Sequence, residues 1–80
     1  MNREEIILEI IQRITEDLGA TISMDTELMD TGVVDSVFIM ELVAELEDRF
    51  GIEIAGEDIL PDYFENVSQI SKMIGKYLNE

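Results

Sequence analysis

Hydrophobic residues recur at helical spacing in three stretches of the chain. Over residues 3–18 they lie three or four positions apart with glutamates between them, which predicts an amphipathic helix that ends at Gly19. The same spacing predicts a second helix over residues 36–50, ended by Gly51, and a last helix over residues 67–78. The predicted inward stripe of the first helix is made of Ile7, Ile10, Ile11, Ile14 and Leu18.

The second and last helices each have a predicted core face. On the second helix the face is formed by Ile39, Leu42, Val43, Leu46 and Phe50. On the last helix it is formed by Val67, Ile70, Ile74, Tyr77 and Leu78. Asn66 is a favoured N-cap for the last helix, and Gln69 follows at the capping-box position.

The connections between these helices differ in length and character. Residues 19–35 form a loop well beyond the roughly 2–8 residues usual between bundle helices, and Ile22, Leu28 and Met29 are expected to anchor it in the core. Residues 51–66 contain glycine and proline and leave space for one short helix near residues 57–60. We therefore predict an all-α fold with one domain over residues 1–80. It is a small four-helix bundle of three main helices plus one short helix, with a long loop between helices 1 and 2.

Composition excludes several classes of protein. At 80 residues the chain can bury only about 60% of its unfolded surface, which disfavours a deep enzyme pocket. It has no His, Cys or Trp, so the commonest general base, the thiolate nucleophile and the usual zinc ligands are all missing. No signal-peptide pattern and no apolar run long enough for a membrane span is found, so we expect a cytoplasmic protein without membrane association.

The net charge of −14 indicates the kind of partner. Such a charge repels nucleic acid and anionic lipid and attracts basic protein surfaces. We expect a monomer whose partners are positively charged proteins.

Ser36 lies at the N-cap or in the first turn of the second predicted helix. The simplest interpretation of this serine is a helix cap, since serine and aspartate are favoured there. At about 100° per residue, however, Val37, Met40 and Ala44 fall outside the core face and form a second apolar stripe. Carboxylates surround that stripe: Glu41, Glu45, Glu47 and Asp48. An apolar strip framed by acids is typical of a docking surface, although Val37 and Met40 could instead pack against the loop or the short helix.

These residues together resemble a known family. The "DSV" at residues 35–37, after "LMDTGVV", is similar to the prosthetic-group attachment site of acyl carrier proteins and of the related peptidyl and D-alanyl carriers. The resemblance extends from the isoleucine-rich first helix to "EDILPDYFENVSQISKMI" near the end. It implies that Ser36 carries 4'-phosphopantetheine through a phosphodiester and that cargo is bound as a thioester to the arm's thiol. It also assigns Asp35 to recognition by the phosphopantetheinyl transferase, and the acidic second helix to docking with basic partner enzymes.

Physical chemistry agrees with that assignment. A phosphodiester at a helix N-terminus is favoured by about 0.3–1 kcal/mol. A chain without cysteine must obtain its thiol from the arm, and the carrier itself needs no catalytic residue. The expected partners are the transferase, loading enzymes of the acyl- or aminoacyl-adenylating kind, and acyl-transfer enzymes with basic docking surfaces.

The cargo is less defined. The fatty-acid carriers usually read Asp-Ser-Leu followed by an acidic residue, whereas this chain has Val37 and Phe38. In this departure, and in the aromatic residues of "PDYFEN", the sequence looks closer to carriers that work with adenylating enzymes than to the fatty-acid carriers. Fatty-acid, polyketide, nonribosomal-peptide and related biosynthesis all stay open.

Two other functions compete with the carrier assignment. In the first, the chain is an acidic helical protein-interaction module without a prosthetic group, and Ser36 is only a cap. In the second, residues 30–41 form a calcium loop, but Gly32 and Val34 occupy positions that require oxygen ligands. We therefore predict no metal site.

Overall fold

Three α-helices form the frame of the protein in the computed structural model, which describes residues 2–19, 21–32 and 34–79. They are α1 (Arg3–Thr15), α2 (Ser36–Phe50) and α3 (Val67–Tyr77), and α1 packs against both α2 and α3. Short 3-10 turns lie between them at Glu16–Leu18, Leu28–Thr31, Gly56–Asp58 and Pro61–Phe64. The described ranges contain no strand, and the predicted all-α class is confirmed.

Each α-helix begins with a side-chain cap. Asn2 and Glu5 form a reciprocal capping box at the start of α1, with Glu5 N donating to Asn2 Oδ1 at 2.9 Å. At the start of α3, Gln69 N donates to Asn66 Oδ1 at 2.9 Å, so the predicted cap at Asn66 is confirmed. These caps satisfy amide groups that a helix cannot pair internally. The cap at Asn66 was predicted from the sequence, and the capping box at Asn2 was not.

The core lies where the three helices meet and largely follows the predicted stripes. Its buried members are Ile7, Ile10, Ile11, Ile22, Leu28, Phe38, Leu42, Leu46, Ile54, Phe64, Val67, Ile70, Met73 and Ile74. The predictions missed Phe38, Ile54, Phe64 and Met73. Because Phe38 is buried, the core face of α2 centres on Phe38, Leu42 and Leu46, and not on Ile39 and Phe50, which are only partly buried.

Several other predicted core residues also lie nearer the surface than expected. Leu18 is 60% exposed, and it lies beyond the end of α1 at Thr15, in the following 3-10 turn. Met29 is 41% exposed, so of the three predicted loop anchors only Ile22 and Leu28 enter the core. Tyr77 and Leu78 are half-buried at the edge of α3.

Hydrogen bonds hold the long first loop against the rest of the protein. Gln12 Nε2 donates to the Ile22 carbonyl oxygen at 2.9 Å, and Leu28 N donates to the Glu65 carbonyl oxygen at 2.7 Å. The loop is therefore fixed to α1 at one point and to the segment before α3 at another.

The predicted short helix near residues 57–60 is not confirmed. Two separate 3-10 turns occupy this part of the chain, Gly56–Asp58 and Pro61–Phe64. Leu60 between them has extended backbone angles, φ −120° and ψ 146°, because the proline ring at Pro61 disfavours helical geometry in the residue before it.

Polar contacts fasten this two-turn segment to the helices. Tyr77 Oη donates to Asp58 Oδ2 and accepts from Ala55 N at 2.9 Å. Glu47 Oε2 accepts from Ile54 N at 2.8 Å. The segment is thus tied to α3 on one side and to α2 on the other.

Because Tyr77 is bonded to Asp58, the contribution of Tyr77 to the stability of the fold depends on pH. Asp58 as hydrogen-bond acceptor raises the pKa of Tyr77 above its usual 10.0. Since the folded-state pKa exceeds the unfolded one, the stabilisation is complete below pH 10 and is lost as pH rises through the raised pKa. Tyr77→Phe is expected to lower the free energy of unfolding by about 1 kcal/mol at neutral pH, and the difference from wild type should shrink in alkali. Urea unfolding from about pH 7 to about pH 11 measures this.

Tyr63→Phe is the matched control, because Tyr63 contacts Lys76 Nζ through its ring face, 4.9 Å from the centroid, which phenylalanine preserves. A difference in the free energy of unfolding between Tyr77→Phe and Tyr63→Phe that does not change with pH would contradict the role of the Tyr77 hydroxyl.

Candidate functional site

Ser36 is the first residue of α2 and is exposed to solvent. The cap of this helix is Asp35, whose Oδ1 accepts a hydrogen bond from Phe38 N at 2.8 Å. The interpretation of Ser36 as the cap is therefore wrong, because its neighbour has that role. The Ser36 hydroxyl makes no hydrogen bond to any other residue that the structure describes, so it is accessible to an enzyme.

The electrostatics at this helix start favour an added anion on Ser36. The first amide groups of a helix have no carbonyl partner within the helix, and the helix dipole places partial positive charge there. The Asp35 carboxylate accepts a hydrogen bond from the Phe38 amide group. The amide groups of Ser36 and Val37 lie before the Phe38 amide in the same turn of the helix. A phosphate ester on Ser36 would lie beside these groups, so the location fits the family's prosthetic group.

An apolar cleft of about 500 Å³ opens beside Ser36. It is formed between the start of α2 and the two-turn segment, with the buried Phe64 among its lining residues. The lining consists of Met29, Val34, Asp35, Ser36, Ile39, Met40, Ile59, Leu60, Pro61 and Phe64. Sequence reasoning missed this cleft, because its two walls are about 20 residues apart in the chain and share no periodic pattern.

The predicted outer stripe of α2 is exposed. Val37 is 62% exposed, Met40 is 71% exposed and Ala44 is also exposed, so the alternative in which Val37 and Met40 pack against the loop or the short helix is wrong. Five large apolar side chains are exposed in the described ranges: Leu18, Met29, Val37, Met40 and Leu60. All five line one of the two cavities that adjoin Asp35 at the start of α2.

The predicted acidic docking residues do not share one environment. Glu41 and Asp48 are exposed. Glu45 Oε2 accepts from Arg13 Nη2 at 2.8 Å in an ion pair between α2 and α1, and Glu47 is the half-buried acceptor of the Ile54 amide. Asp48 lies about 18 Å from Ser36 along the helix axis. Glu41 is therefore the acidic residue of the set that lies nearest Ser36 along the helix.

Two features are absent from the described part of the chain. Across residues 2–19, 21–32 and 34–79, no three acidic side chains converge as a metal site would require. Over the same ranges, no helix has the length and apolar character needed to cross a bilayer.

Comparison with known proteins found one matching family model and several carrier proteins of similar sequence. A family model described as a phosphopantetheine attachment site matches residues 5–74. The D-alanyl carrier protein of Streptococcus pyogenes serotype M5 (strain Manfredo) is 35% identical over 71 residues, which cover 88% of this chain and 87% of that protein. The D-alanyl carrier proteins of serotype M49 (strain NZ131) and serotype M1 match to the same extent. No solved structure matches the chain.

A helical domain with an exposed serine at a helix start, together with these matches, defines a carrier protein that bears 4'-phosphopantetheine. The chain belongs to the family of proteins with a phosphopantetheine attachment site. Carrier proteins are generally non-catalytic and work with modifying and loading enzymes. The alternative of an interaction module without a prosthetic group is not supported.

Proposed function

We propose that Ser36 is the residue to which phosphopantetheine is attached. The observation that carries this is the exposed hydroxyl at the start of α2, with the capping task already performed by Asp35. Two other serines have hydroxyls already engaged: Ser23 bonds to Thr26, and Ser71 accepts from Arg3 Nε at 2.8 Å. Ser68 is exposed, but it lies on α3 and lines neither cavity beside Asp35.

The attachment reaction is a transfer from coenzyme A. The Ser36 oxygen attacks the phosphorus that carries the pantetheine, the diphosphate bond breaks, and adenosine 3',5'-bisphosphate leaves while the hydroxyl proton passes to a base of the transferase. Asp35 holds the first turn of α2 in place and presents an exposed carboxylate to that enzyme. When bound, the group supplies the thiol that this cysteine-free chain lacks.

The proposed cargo is an aminoacyl group, with D-alanine as the first candidate. The matched relatives are D-alanyl carrier proteins, and they cover most of this chain. Val37 and Phe38 also stand where the fatty-acid carriers have leucine and an acidic residue, which argues against a fatty acyl cargo. The partner that loads the arm would then be an amino-acid-adenylating enzyme.

The proposed docking surface follows the exposed side of α2. It comprises Val37, Met40, Glu41, Ala44, Glu45, Glu47 and Asp48, and the apolar members supply contact area while the free carboxylates attract basic enzymes. Because the family match spans residues 5–74, we take residues 1–80 as one carrier domain that contributes no catalytic group.

Mass spectrometry tests the attachment directly. The purified protein, incubated with coenzyme A, Mg²⁺ and a broad-specificity phosphopantetheinyl transferase, should gain the mass of one phosphopantetheine group, and peptide mapping should place it on Ser36. An unmodified wild-type chain, or a group found on Ser68, would overturn the assignment.

We expect substitutions in the docking surface to weaken binding of the loading enzyme without lowering the stability of the fold. Met40→Arg and Glu41→Lys should each lower the rate of aminoacyl loading about 5- to 10-fold, since both weaken attraction to a basic apolar enzyme surface. Their melting temperatures should stay close to wild type, because both side chains are exposed.

Loading assays with a D-alanine-adenylating enzyme, run beside thermal melts, measure both effects. Glu9→Lys is the matched control, because it makes the same charge change on an exposed part of α1. Equal loading of Glu9→Lys and Glu41→Lys would show that only net charge matters.

A further inference from the structure

Two thioether side chains lie on the lining of the cleft beside Ser36. They belong to Met29 and Met40, which are 41% and 71% exposed. The other methionines in the described ranges are less accessible, since Met24 is half-buried and Met73 is 1% exposed in the core. The thioethers that solvent reaches most easily therefore lie together at one place on the surface, next to the serine proposed for attachment.

Met40 is a neighbour of Ser36 on the surface of α2. Residues four positions apart lie on one face of a helix, and long side chains on a helix lean toward its N-terminus. The methionine side chain therefore extends over the turn that begins with Ser36, and both residues line the same cleft. A chemical change at this thioether changes the surroundings of the serine.

The composition of the chain directs mild oxidants to methionine. The sequence has five methionines and no Cys, His or Trp, so the thioethers are the groups that a hydroperoxide oxidises first. In this reaction the sulfur attacks the hydroperoxide, the O–O bond breaks, and one oxygen atom is transferred to the sulfur. The thioether is oxidised to a sulfoxide and the hydroperoxide is reduced to water or an alcohol. The step needs no catalytic residue.

We propose that Met40 is an oxidation-sensitive site that controls loading of the carrier, with Met29 as a second, slower site. A sulfoxide is polar, whereas the thioether it replaces is apolar and polarisable. The side chains that line the cleft are apolar apart from those of Asp35 and Ser36. Oxidation would therefore place a hydrated group where the docking surface offers an apolar contact. The inference rests on the docking surface proposed above.

The same change is reversible and leaves the core intact. Methionine sulfoxide reductases return the sulfoxide to the thioether, and an exposed side chain such as Met40 is open to them. The thioether of Met73 is buried in the core, so oxidant does not reach it while the protein is folded. Oxidation at the surface is thus expected to change binding without unfolding the domain.

The order of oxidation is the first test. The protein without its arm, which contains no thiol, is treated with hydrogen peroxide and followed by intact mass and peptide mapping. Met40 should gain oxygen first, Met29 more slowly and Met24 more slowly still, because the reaction follows exposure of the sulfur. Met73 should stay unmodified while circular dichroism shows a folded protein. Oxidation of Met40 at the rate of Met73 would overturn the site.

Loading after oxidation tests the consequence. Peroxide is removed before the oxidised protein receives its arm from transferase and coenzyme A, so the thiol of the arm never meets the oxidant. Loading is then measured with a D-alanine-adenylating enzyme. The rate for oxidised wild type should fall about 5- to 10-fold below that of the unoxidised protein, chiefly through KM, because an apolar contact is lost. Treatment with methionine sulfoxide reductases should restore the rate.

Leucine variants identify the thioether responsible. Each variant is compared with its own unoxidised form, whatever its starting rate. Oxidation should leave the loading rate of Met40→Leu nearly unchanged, because leucine is apolar and has no sulfur to oxidise. Met24→Leu is the matched control, and oxidation should slow its loading as much as that of wild type, because Met24 does not line the cleft.

The outcomes separate this inference from the function beneath it. Loading at the full rate after oxidation of Met40 would overturn the inference, and so would an equal loss of rate in oxidised Met40→Leu. An unoxidised wild-type protein that is never modified at Ser36, or never loaded, would overturn the proposed function and this inference with it.

Discussion

Ser36→Ala is expected to abolish attachment of phosphopantetheine and to leave the fold intact. The variant lacks the oxygen that forms the phosphodiester, so the mass increase seen with wild type should be absent even after long incubation with transferase and coenzyme A. The free energy of unfolding should change by less than about 0.5 kcal/mol, because the hydroxyl of Ser36 has no partner in the described structure and Asp35 caps the helix.

Two control variants make this result specific. Ser68→Ala removes an exposed hydroxyl from the first turn of α3 and should be modified like wild type. Asp35→Ala should lose about 1 kcal/mol of stability, the usual value of an N-cap, whereas Ser36→Ala should not. A Ser36→Ala protein that still gains the mass, or that loses as much stability as Asp35→Ala, would contradict the division of roles between the two residues.

Phe38→Glu is expected to unfold most of the protein at neutral pH. Phe38 is 4% exposed within the core, and loss of a buried phenylalanine side chain costs about 3–5 kcal/mol before the glutamate is considered. The new carboxylate would be buried without a partner, which adds a desolvation cost. The sum approaches the whole stability of a small domain, about 5 kcal/mol at the lower end of the usual range.

Met40→Glu provides the comparison, because it adds the same charge two residues along the same helix at a side chain that is 71% exposed. Its effect on the free energy of unfolding should stay below about 0.5 kcal/mol. Urea unfolding of the two variants, with circular dichroism as the probe, measures the difference. Equal stability of Phe38→Glu and Met40→Glu would mean that Phe38 does not belong to the core.

Sequence reasoning was wrong about α2 for a definable reason. Helical periodicity gives the angular spacing of apolar residues but does not say which apolar stripe faces inward when a helix carries two. Since Phe38, Ile39, Met40, Leu42 and Val43 are all apolar, the pattern allowed more than one core face. Contacts with the rest of the core selected the one that contains Phe38 and Leu42.

The segment before α3 shows a similar limit. The single proline and the glycines predicted an irregular stretch, and the structure confirms that. The prediction of a helix at residues 57–60 failed because Pro61 holds Leu60 in an extended conformation. The local sequence also gave no sign that Phe64 is a core residue, because its burial and its place in the cleft lining depend on residues distant in sequence.

The sequence by itself determined the three helices, the cap at Asn66 and the candidate serine, because each depends on local spacing, on the chemistry of one residue or on a family resemblance. Only the tertiary structure decided that Asp35 and not Ser36 caps α2, that Leu18 is turned outward, and that Glu45 and Glu47 bond to Arg13 and to the Ile54 amide. It also decided the positions of the two cavities that adjoin Asp35 at the start of α2. These features depend on how helices pack against each other and where each helix ends, and neither is encoded in the periodicity of a single segment.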